Sequence, residues 1–122
     1  MNSPRHHGDW AGAGLIVSRL LEQALIELND ADDPLARLAA GRCVEHLAAC
    51  AECVTVAGLA GPRDQPRLLR EAWQAIASAR CNLDLVRRRG AIAPSSFRAL
   101  ASGCEVLRRR FSGALPPADS GA

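Results

Sequence analysis

Apolar residues recur every three or four positions along the C-terminal half of the chain, with polar residues between them. This spacing places apolar side chains on one face of an α-helix and predicts helices at 66–89 and 94–113. The apolar face of the first helix holds Leu68, Leu69, Ala72, Trp73, Ile76, Ala79, Leu83 and Val86, and that of the second holds Phe97, Leu100, Cys104, Leu107 and Phe111.

The N-terminal half shows the same spacing, with one additional feature. The main apolar face of the first predicted helix contains Val17, Leu20, Leu21, Ala24, Leu25 and Leu28. Leu15 and Ile26 lie together on the otherwise polar side, three turns apart. They are either ordinary exposed residues, which protein surfaces tolerate, or part of an interface between subunits.

Capping residues and helix breakers divide the chain into four helices. Asp9 can cap the first helix, Asp33 followed by Pro34 starts the second, and Gly90 stops the third. Gly58 and Gly61 with Pro62 break the pattern between the second and third helices. The predicted helices cover residues 10–28, 34–57, 66–89 and 94–113, between disordered tails at 1–9 and 116–122.

The predicted fold is all-α, an antiparallel four-helix bundle in one domain at residues 10–115. Aromatic residues make up only 3% of the 122 residues and Tyr is absent, so the core must be built from Leu, Val, Ile and Ala. This composition favours close helix packing over a β-sandwich. Short connections imply that the helices run up, down, up and down.

The charge of the chain changes sign along its length. Residues 1–61 hold four Arg and eight acidic residues, whereas residues 62–122 hold eleven Arg and five acidic residues, and no Lys is present. In an up-down bundle, the loop between the second and third helices and the end of the fourth helix share one end. This end would be a basic pole formed by Arg63, Arg67, Arg70, Arg108, Arg109 and Arg110.

Three interpretations of the basic pole remain open. Arginines at helix C-termini can simply complement the helix dipole and keep the protein soluble. They can also bind phosphates of a nucleic acid, or form an interface with an acidic protein. The opposite end would bring Asp30, Asp32 and Asp33 close to Arg87, Arg88 and Arg89.

Arg80 and Arg87 lie seven and fourteen residues after Trp73, at the margin of the core face. Arginines at such positions often pack their aliphatic stems on apolar neighbours and keep the guanidinium in water or on a nearby carboxylate. Alternatively, they can pair with acidic residues of another subunit. The second interpretation adds Arg80 and Arg87 to Leu15 and Ile26 as candidate oligomer-interface residues.

The second predicted helix carries a stripe of thiols and imidazole. Cys43, His46, Cys50 and Cys53 lie within one quarter of the helix, and Cys104 could join them from the fourth helix. A soft metal such as zinc or cuprous copper prefers such ligands, so His46, Cys50 and Cys53 form an alternative metal or thiol site. Leu35, Leu47 and Val54 lie on the same arc, which favours cysteines acting as small core residues.

No pattern indicates an enzyme or a cofactor. The chain has no Gly-rich nucleophile elbow, no phosphate-binding Gly loop and no paired Glu-x-x-His motifs of the di-iron kind. Its five cysteines do not form a recognisable disulfide framework, which favours a reduced, cytoplasmic location. Neither a signal peptide nor a membrane span is expected.

The C-terminal half resembles a known family. Its residues Leu68-Leu69-Arg70-Glu71-Ala72, Leu83, Arg87, Ile92, Phe97, Leu100, Leu107 and Phe111-Ser112-Gly113 are similar to the four-helix-bundle proteins encoded in intervening sequences of bacterial large-subunit ribosomal RNA genes. The accessory variability determinant proteins of diversity-generating retroelements share that fold.

The resemblance implies a left-handed bundle, a ring-shaped homopentamer and no enzymatic activity. For the retroelement branch it also implies binding to a reverse transcriptase and to nucleic acid. The chain differs from the family in lacking Lys, in carrying several cysteines in its second helix and in being only weakly basic.

Overall fold

The computed structural model describes residues 4–29 and 31–115, with side chains from residue 12 onward. These residues form four α-helices and no strand, so the predicted all-α class is confirmed. The helices are α1 (Pro4–Glu27), α2 (Pro34–Leu59), α3 (Gln65–Arg88) and α4 (Pro94–Ala114).

The four helices form an antiparallel bundle. α1 and α3 each pack against α2 and α4, and α2 makes its most extensive contact with α3. The start of α4 meets the end of α1, where Ser96 Oγ donates to Glu27 Oε1 at 2.7 Å. The start of α3 meets the end of α4, where Trp73 Nε1 donates to Ser112 Oγ at 3.0 Å. The up-down-up-down order predicted from the short connections is therefore confirmed.

Two helix ends form as their sequence predicts. The Asp33 carboxylate accepts the backbone N–H of Ala36 at 2.9 Å and caps α2, whose first turn contains Pro34. At the end of α3, Gly90 has a φ of 69°. Its N–H donates to the carbonyl of Arg87, and the next N–H donates to that of Val86, which is the pattern of a Schellman motif.

Two helix boundaries differ from the predicted ones. α1 begins at Pro4, so Asp9 lies inside the helix and does not cap it; proline is favoured at the first helical position. α2 continues through Gly58 to Leu59, because one glycine weakens a helix by only about 1 kcal/mol. Residues 1–3, Asp30 and the predicted tail at 116–122 lie outside the described residues.

The core is apolar, and all buried residues among those described are hydrophobic or Cys. The predicted faces of α3 and α4 are buried, apart from a half-buried Trp73. Leu25 and Leu35 were expected on the buried faces of α1 and α2, but they are 54% and 43% exposed. The buried face of α2 is rotated away from Leu35, and four alanines lie on it together with Cys43, Leu47, Cys50 and Val54.

Within the described residues, no helix combines the length and the hydropathy needed to cross a bilayer.

Candidate nucleic-acid interface

The basic pole is assembled by the turn between α2 and α3 together with the end of α4. Gln65 Nε2 donates to the carbonyl of Ala57 at 3.1 Å and ties the start of α3 to the end of α2. The hydrogen bond from Trp73 to Ser112 ties the same end of α3 to α4. The antiparallel order thus places at one end the elements that carry Arg63, Arg67, Arg70, Arg108, Arg109 and Arg110.

Glu105 anchors two arginines of the pole. Arg108 donates to both Glu105 oxygens, from Nε at 3.1 Å and from Nη2 at 2.7 Å, and Arg109 Nε donates to one of them at 3.1 Å. These hydrogen bonds, led by those from Arg108, lower the pKa of Glu105 to about 2. Glu105 therefore stays ionised at neutral pH and orients the two guanidinium groups.

The remaining arginines of the pole differ in how they are held. Arg67 Nη1 pairs with Glu71 Oε2 at 3.3 Å. An ideal Cβ on Gly12 would lie 3.1 Å from Arg110 Nη1, so this guanidinium lies close to α1. Arg63 and Arg70 are exposed and make no hydrogen bond or ion pair with another described residue.

The pole can present several N–H donors to a polyanion. Its six arginines face three carboxylates, those of Asp64, Glu71 and Glu105. The Arg109 side chain is 77% exposed even though it contacts Glu105. Guanidinium groups bind phosphates through paired hydrogen bonds. The described aromatic rings near the pole are not openly exposed, since Trp73 is half-buried and Phe111 is buried, so the site suits backbone phosphates better than base stacking.

At the opposite end, one arginine and one carboxylate pair with each other. Arg89 donates from Nε and Nη2 to the two oxygens of Asp33 at 2.9 and 2.8 Å. This pair, more than the cap to Ala36, lowers the pKa of Asp33 to about 2. An open cleft of about 630 Å³ lies beside the pair, between the α1–α2 and α3–α4 connections. The predicted meeting of acidic residues with the arginines at the end of α3 is thus found for Asp33 and Arg89, and Asp30 lies outside the described residues.

Arg80 and Arg87 are both engaged within the chain. The guanidinium carbons lie 5.5 and 4.9 Å from the centroid of the Phe97 ring, close enough for cation–π interactions. Arg80 also pairs with Asp84 at 3.2 Å. This geometry supports the prediction that their stems pack at the core margin. The role of Phe97 does not follow from the sequence pattern, because the ring reaches the two arginines across a helix interface.

The cysteine stripe is divided between the core and its edge. Cys43, Cys50 and Cys104 are buried, and desolvation raises the pKa to about 12 for Cys43 and Cys50 and to about 11 for Cys104. Cys53 is half-buried, and its thiol lies 3.9 Å from Glu71 Oε1.

The alternative metal site at His46, Cys50 and Cys53 gains no geometric support. In the described part of the chain, no group of three or more His, Cys, Asp or Glu residues is placed to hold a metal ion.

Exposed apolar side chains concentrate on α1 and α2. Leu15 is 55% exposed and Ile26 is 73% exposed, as their position on the polar side predicts. Leu38, Val56 and Leu59, which the sequence pattern does not single out, are also exposed. Outside the first two helices, Val106 is the remaining large exposed hydrophobic residue among those described.

Comparisons of the chain with protein-family models, with curated proteins and with solved structures found no match.

Proposed function

We propose that the protein is a non-enzymatic, oligomeric four-helix-bundle scaffold that binds nucleic acid through the basic pole. The observation that carries the proposal is the convergence of six arginines on one end of the bundle, where Arg63 and Arg70 lack partners among the described residues. Phosphate contacts of this kind supply most of the affinity in sequence-independent binding. The resemblance to ribosomal-RNA intervening-sequence proteins points to the same class of scaffold, with five copies in a ring.

Charge reversal at the pole tests nucleic-acid binding. The double variant Arg63→Glu with Arg109→Glu changes exposed side chains and leaves the pair between Arg108 and Glu105 in place. We expect it to weaken binding to a fluorescent 20-nucleotide RNA or DNA. We also expect the plot of log affinity against log salt to lose about one unit of slope per arginine, because fewer counterions are released.

The matched control is Arg19→Glu with Arg98→Glu. Both arginines are exposed, make no hydrogen bond or ion pair with another described residue and lie away from the pole. The control alters net charge by the same amount, so it should weaken binding much less. Equal losses in the two double variants would mean that only net charge matters and would remove the pole as a site. If the protein bound an acidic peptide but neither RNA nor DNA, the pole would be assigned to a protein partner.

The oligomeric part of the proposal is tested by the mass of the protein in solution. At tens of micromolar, we expect sedimentation to show an assembly, with five copies as the number that the resemblance implies. The exposed apolar residues of α1 and α2 support self-association, because large exposed apolar patches commonly mark interfaces. A single monomeric species at this concentration would contradict the scaffold.

A further inference from the structure

The outward face of α2 carries one regular line of exposed side chains. The residues of this line follow one another at alternating intervals of four and three, so they stay on one side of the helix. They are Leu38, Arg42, Glu45, Ala49, Glu52 and Val56, and we call them the α2 seam. All six are exposed, and the three charged residues make no hydrogen bond or ion pair with another described residue.

The α2 seam is symmetric about its centre. Leu38 and Val56 lie nine residues before and nine residues after Leu47, and they are 56% and 45% exposed. Arg42 and Glu52 lie five residues before and five residues after it. In a second α2 helix running in the opposite direction, with Leu47 at the same level, the two apolar residues would exchange places and so would the two charged ones. Each leucine then meets a valine and each arginine meets a glutamate, and both contacts occur twice.

The centre of the seam contains one glutamate and one small residue. Glu45 and Ala49 lie two residues before and two residues after Leu47, so each Glu45 would meet Ala49 of the other copy. Ala49 is short and leaves the carboxylate room to reach water. In this register, apolar residues meet at both ends, opposite charges meet inside them, and no like charges lie directly opposite each other. Opposite charges in register favour association and fix the alignment of the two helices.

Other alignments use fewer of these residues. Shifting one helix to bring Arg42 against Glu45 would move Val56 past the start of the other α2 helix, which begins at Pro34. α1 exposes a shorter line with the same spacing, formed by Leu15, Arg19, Glu22 and Ile26. That line can match at most four positions of the α2 seam, whereas α2 against α2 engages all six.

From this symmetry we infer that the α2 seam binds the α2 seam of a second copy of the chain, with the two helices antiparallel. The contact joins the same face of both copies and closes after two, whereas a ring joins different faces of successive copies. A ring of five copies contains no such contact within itself. The inference therefore goes beyond the proposed function: the seam pairs two single chains or, where a ring forms, two rings, and it doubles the number of copies.

Charge reversal at the seam tests the contact in the absence of nucleic acid. Arg42→Glu and Glu52→Arg each set like charges opposite each other twice in the contact. We expect each single variant to associate at least about tenfold more weakly than the wild type. Sedimentation should then show half the wild-type mass at a concentration where the wild type is assembled, because the contact joins two identical halves. Circular dichroism checks that the variants keep their helical content.

Two double variants of identical composition separate this register from a general effect of charge. Arg42→Glu with Glu52→Arg exchanges the two partners and restores both ion pairs, so the wild-type mass should return. Arg42→Glu with Glu45→Arg has the same net charge but leaves the new carboxylate at position 42 opposite Glu52 of the other copy. This control should therefore keep the halved mass.

Three results would overturn the inference. The first is the wild-type mass in either single variant, and the second is a folded exchange variant of Arg42 and Glu52 that stays at half mass. The third is recovery by the exchange of Arg42 with Glu45, which would show a different register. A monomeric wild type would contradict both this contact and the oligomeric part of the proposed function. None of the changed residues belongs to the basic pole, so nucleic-acid binding is measured separately and can persist when the contact fails.

Disulfide formation between copies offers a second measurement that needs no charge change. The background carries Cys53→Ala and Cys81→Ala, because the other three cysteines are buried. In this background, an equal mixture of Leu38→Cys and Val56→Cys should form a covalent dimer when diamide is added. Either variant alone should not, since the same position in the two antiparallel helices would be separated by about 27 Å along the seam. A dimer from one variant alone, or none from the mixture, would contradict the antiparallel register.

Discussion

The hairpin of α1 and α2 and the hairpin of α3 and α4 differ in what they bury and in what they expose. The α3–α4 hairpin supplies most of the large, fully buried side chains, which include Phe111, Ile76, Leu83, Leu100 and Leu107. The α1–α2 hairpin contributes mainly alanines and cysteines to the core and exposes seven of the eight large exposed hydrophobic residues among those described. The C-terminal hairpin thus fills the core, while the N-terminal hairpin leaves apolar surface exposed.

The two hairpins also differ in whether the carboxylates on their helices form ion pairs. Glu71, Asp84 and Glu105 in the C-terminal hairpin are all paired with arginines. In the N-terminal hairpin, Glu45 and Glu52 make no such pair within the described residues. Exposed ion pairs add little stability, and their effect here is to orient arginines. The unpaired glutamates remain available to another molecule.

The largest expected effect compares two leucines that the sequence places on core faces. Leu83 in α3 is 0% exposed, whereas Leu25 in α1 is 54% exposed. Leu83→Ala should lower the free energy of unfolding by about 2 to 5 kcal/mol, because it leaves a cavity. Leu25→Ala should lower it by roughly 0.5 to 1 kcal/mol, since less apolar area is buried there. Urea denaturation of the dissociated protein measures both.

Equal losses for the two variants would contradict the comparison. They would show that the face of α1 carrying Leu25 is buried as firmly as the centre of the C-terminal hairpin.

Leu25 also shows which part of the fold cannot be predicted from the sequence. Helix number, order and most boundaries follow from local signals, such as the Asp33-Pro34 cap and Gly90. The exact arc of a helix that is buried depends on where its two neighbours lie, and that information is not local. Leu25 and Leu35 fall just beyond that arc, and the spacing of apolar residues cannot resolve a difference of one position.

The candidate site, too, could be predicted only in part from the sequence. The convergence of the arginines at one pole follows from the up-down order, so it could be predicted. The contact of Phe97 with Arg80 and Arg87 could not, because it joins side chains of two neighbouring helices, and the level at which these meet is set by packing in three dimensions. The pairs of Glu105 with Arg108 and Arg109 lie within α4, at the local i,i+3 and i,i+4 spacing that a sequence does show.

A smaller effect is expected at the contact between the two hairpins at α1 and α4. A Cβ on Gly103 would lie 2.7 Å from Leu20 Cδ1 and 3.5 Å from its Cγ, so the helices approach closely there. Gly103→Ala should gain up to about 1 kcal/mol of helix propensity but lose about 1 to 3 kcal/mol to overpacking. The net result is a protein of equal or lower stability.

Gly41 in α2 is the matched control, because a Cβ there meets no atom within 4 Å. Gly41→Ala should raise the melting temperature through helix propensity alone. If Gly103→Ala raised it by the same amount, Leu20 would have room to move, and the contact between α1 and α4 would be looser than the structure indicates.

The smallest expected effect concerns the ion pair that joins the two hairpins, Asp33 with Arg89. The pKa of Asp33 is lowered from 3.8 to about 2 in the folded protein. Its contribution to stability is therefore complete above pH 3.8 and is lost as the pH falls towards 2, where the folded protein takes up the proton. Asp33→Asn keeps a side chain able to cap α2 but removes the charge.

The melting temperature of the wild type should therefore exceed that of Asp33→Asn at pH 6, and the two values should converge as the pH falls to 2. Glu105→Gln provides the contrast within one hairpin, because Glu105 also has a pKa of about 2 but pairs only with arginines of its own helix. It should alter the melting temperature less than Asp33→Asn at pH 6, since its pairs connect neighbouring turns of one helix, whereas Asp33 holds the start of α2 to the end of α3. A constant difference between Asp33→Asn and the wild type from pH 6 to pH 2 would mean that the lost cap, and not the lost ion pair, separates them.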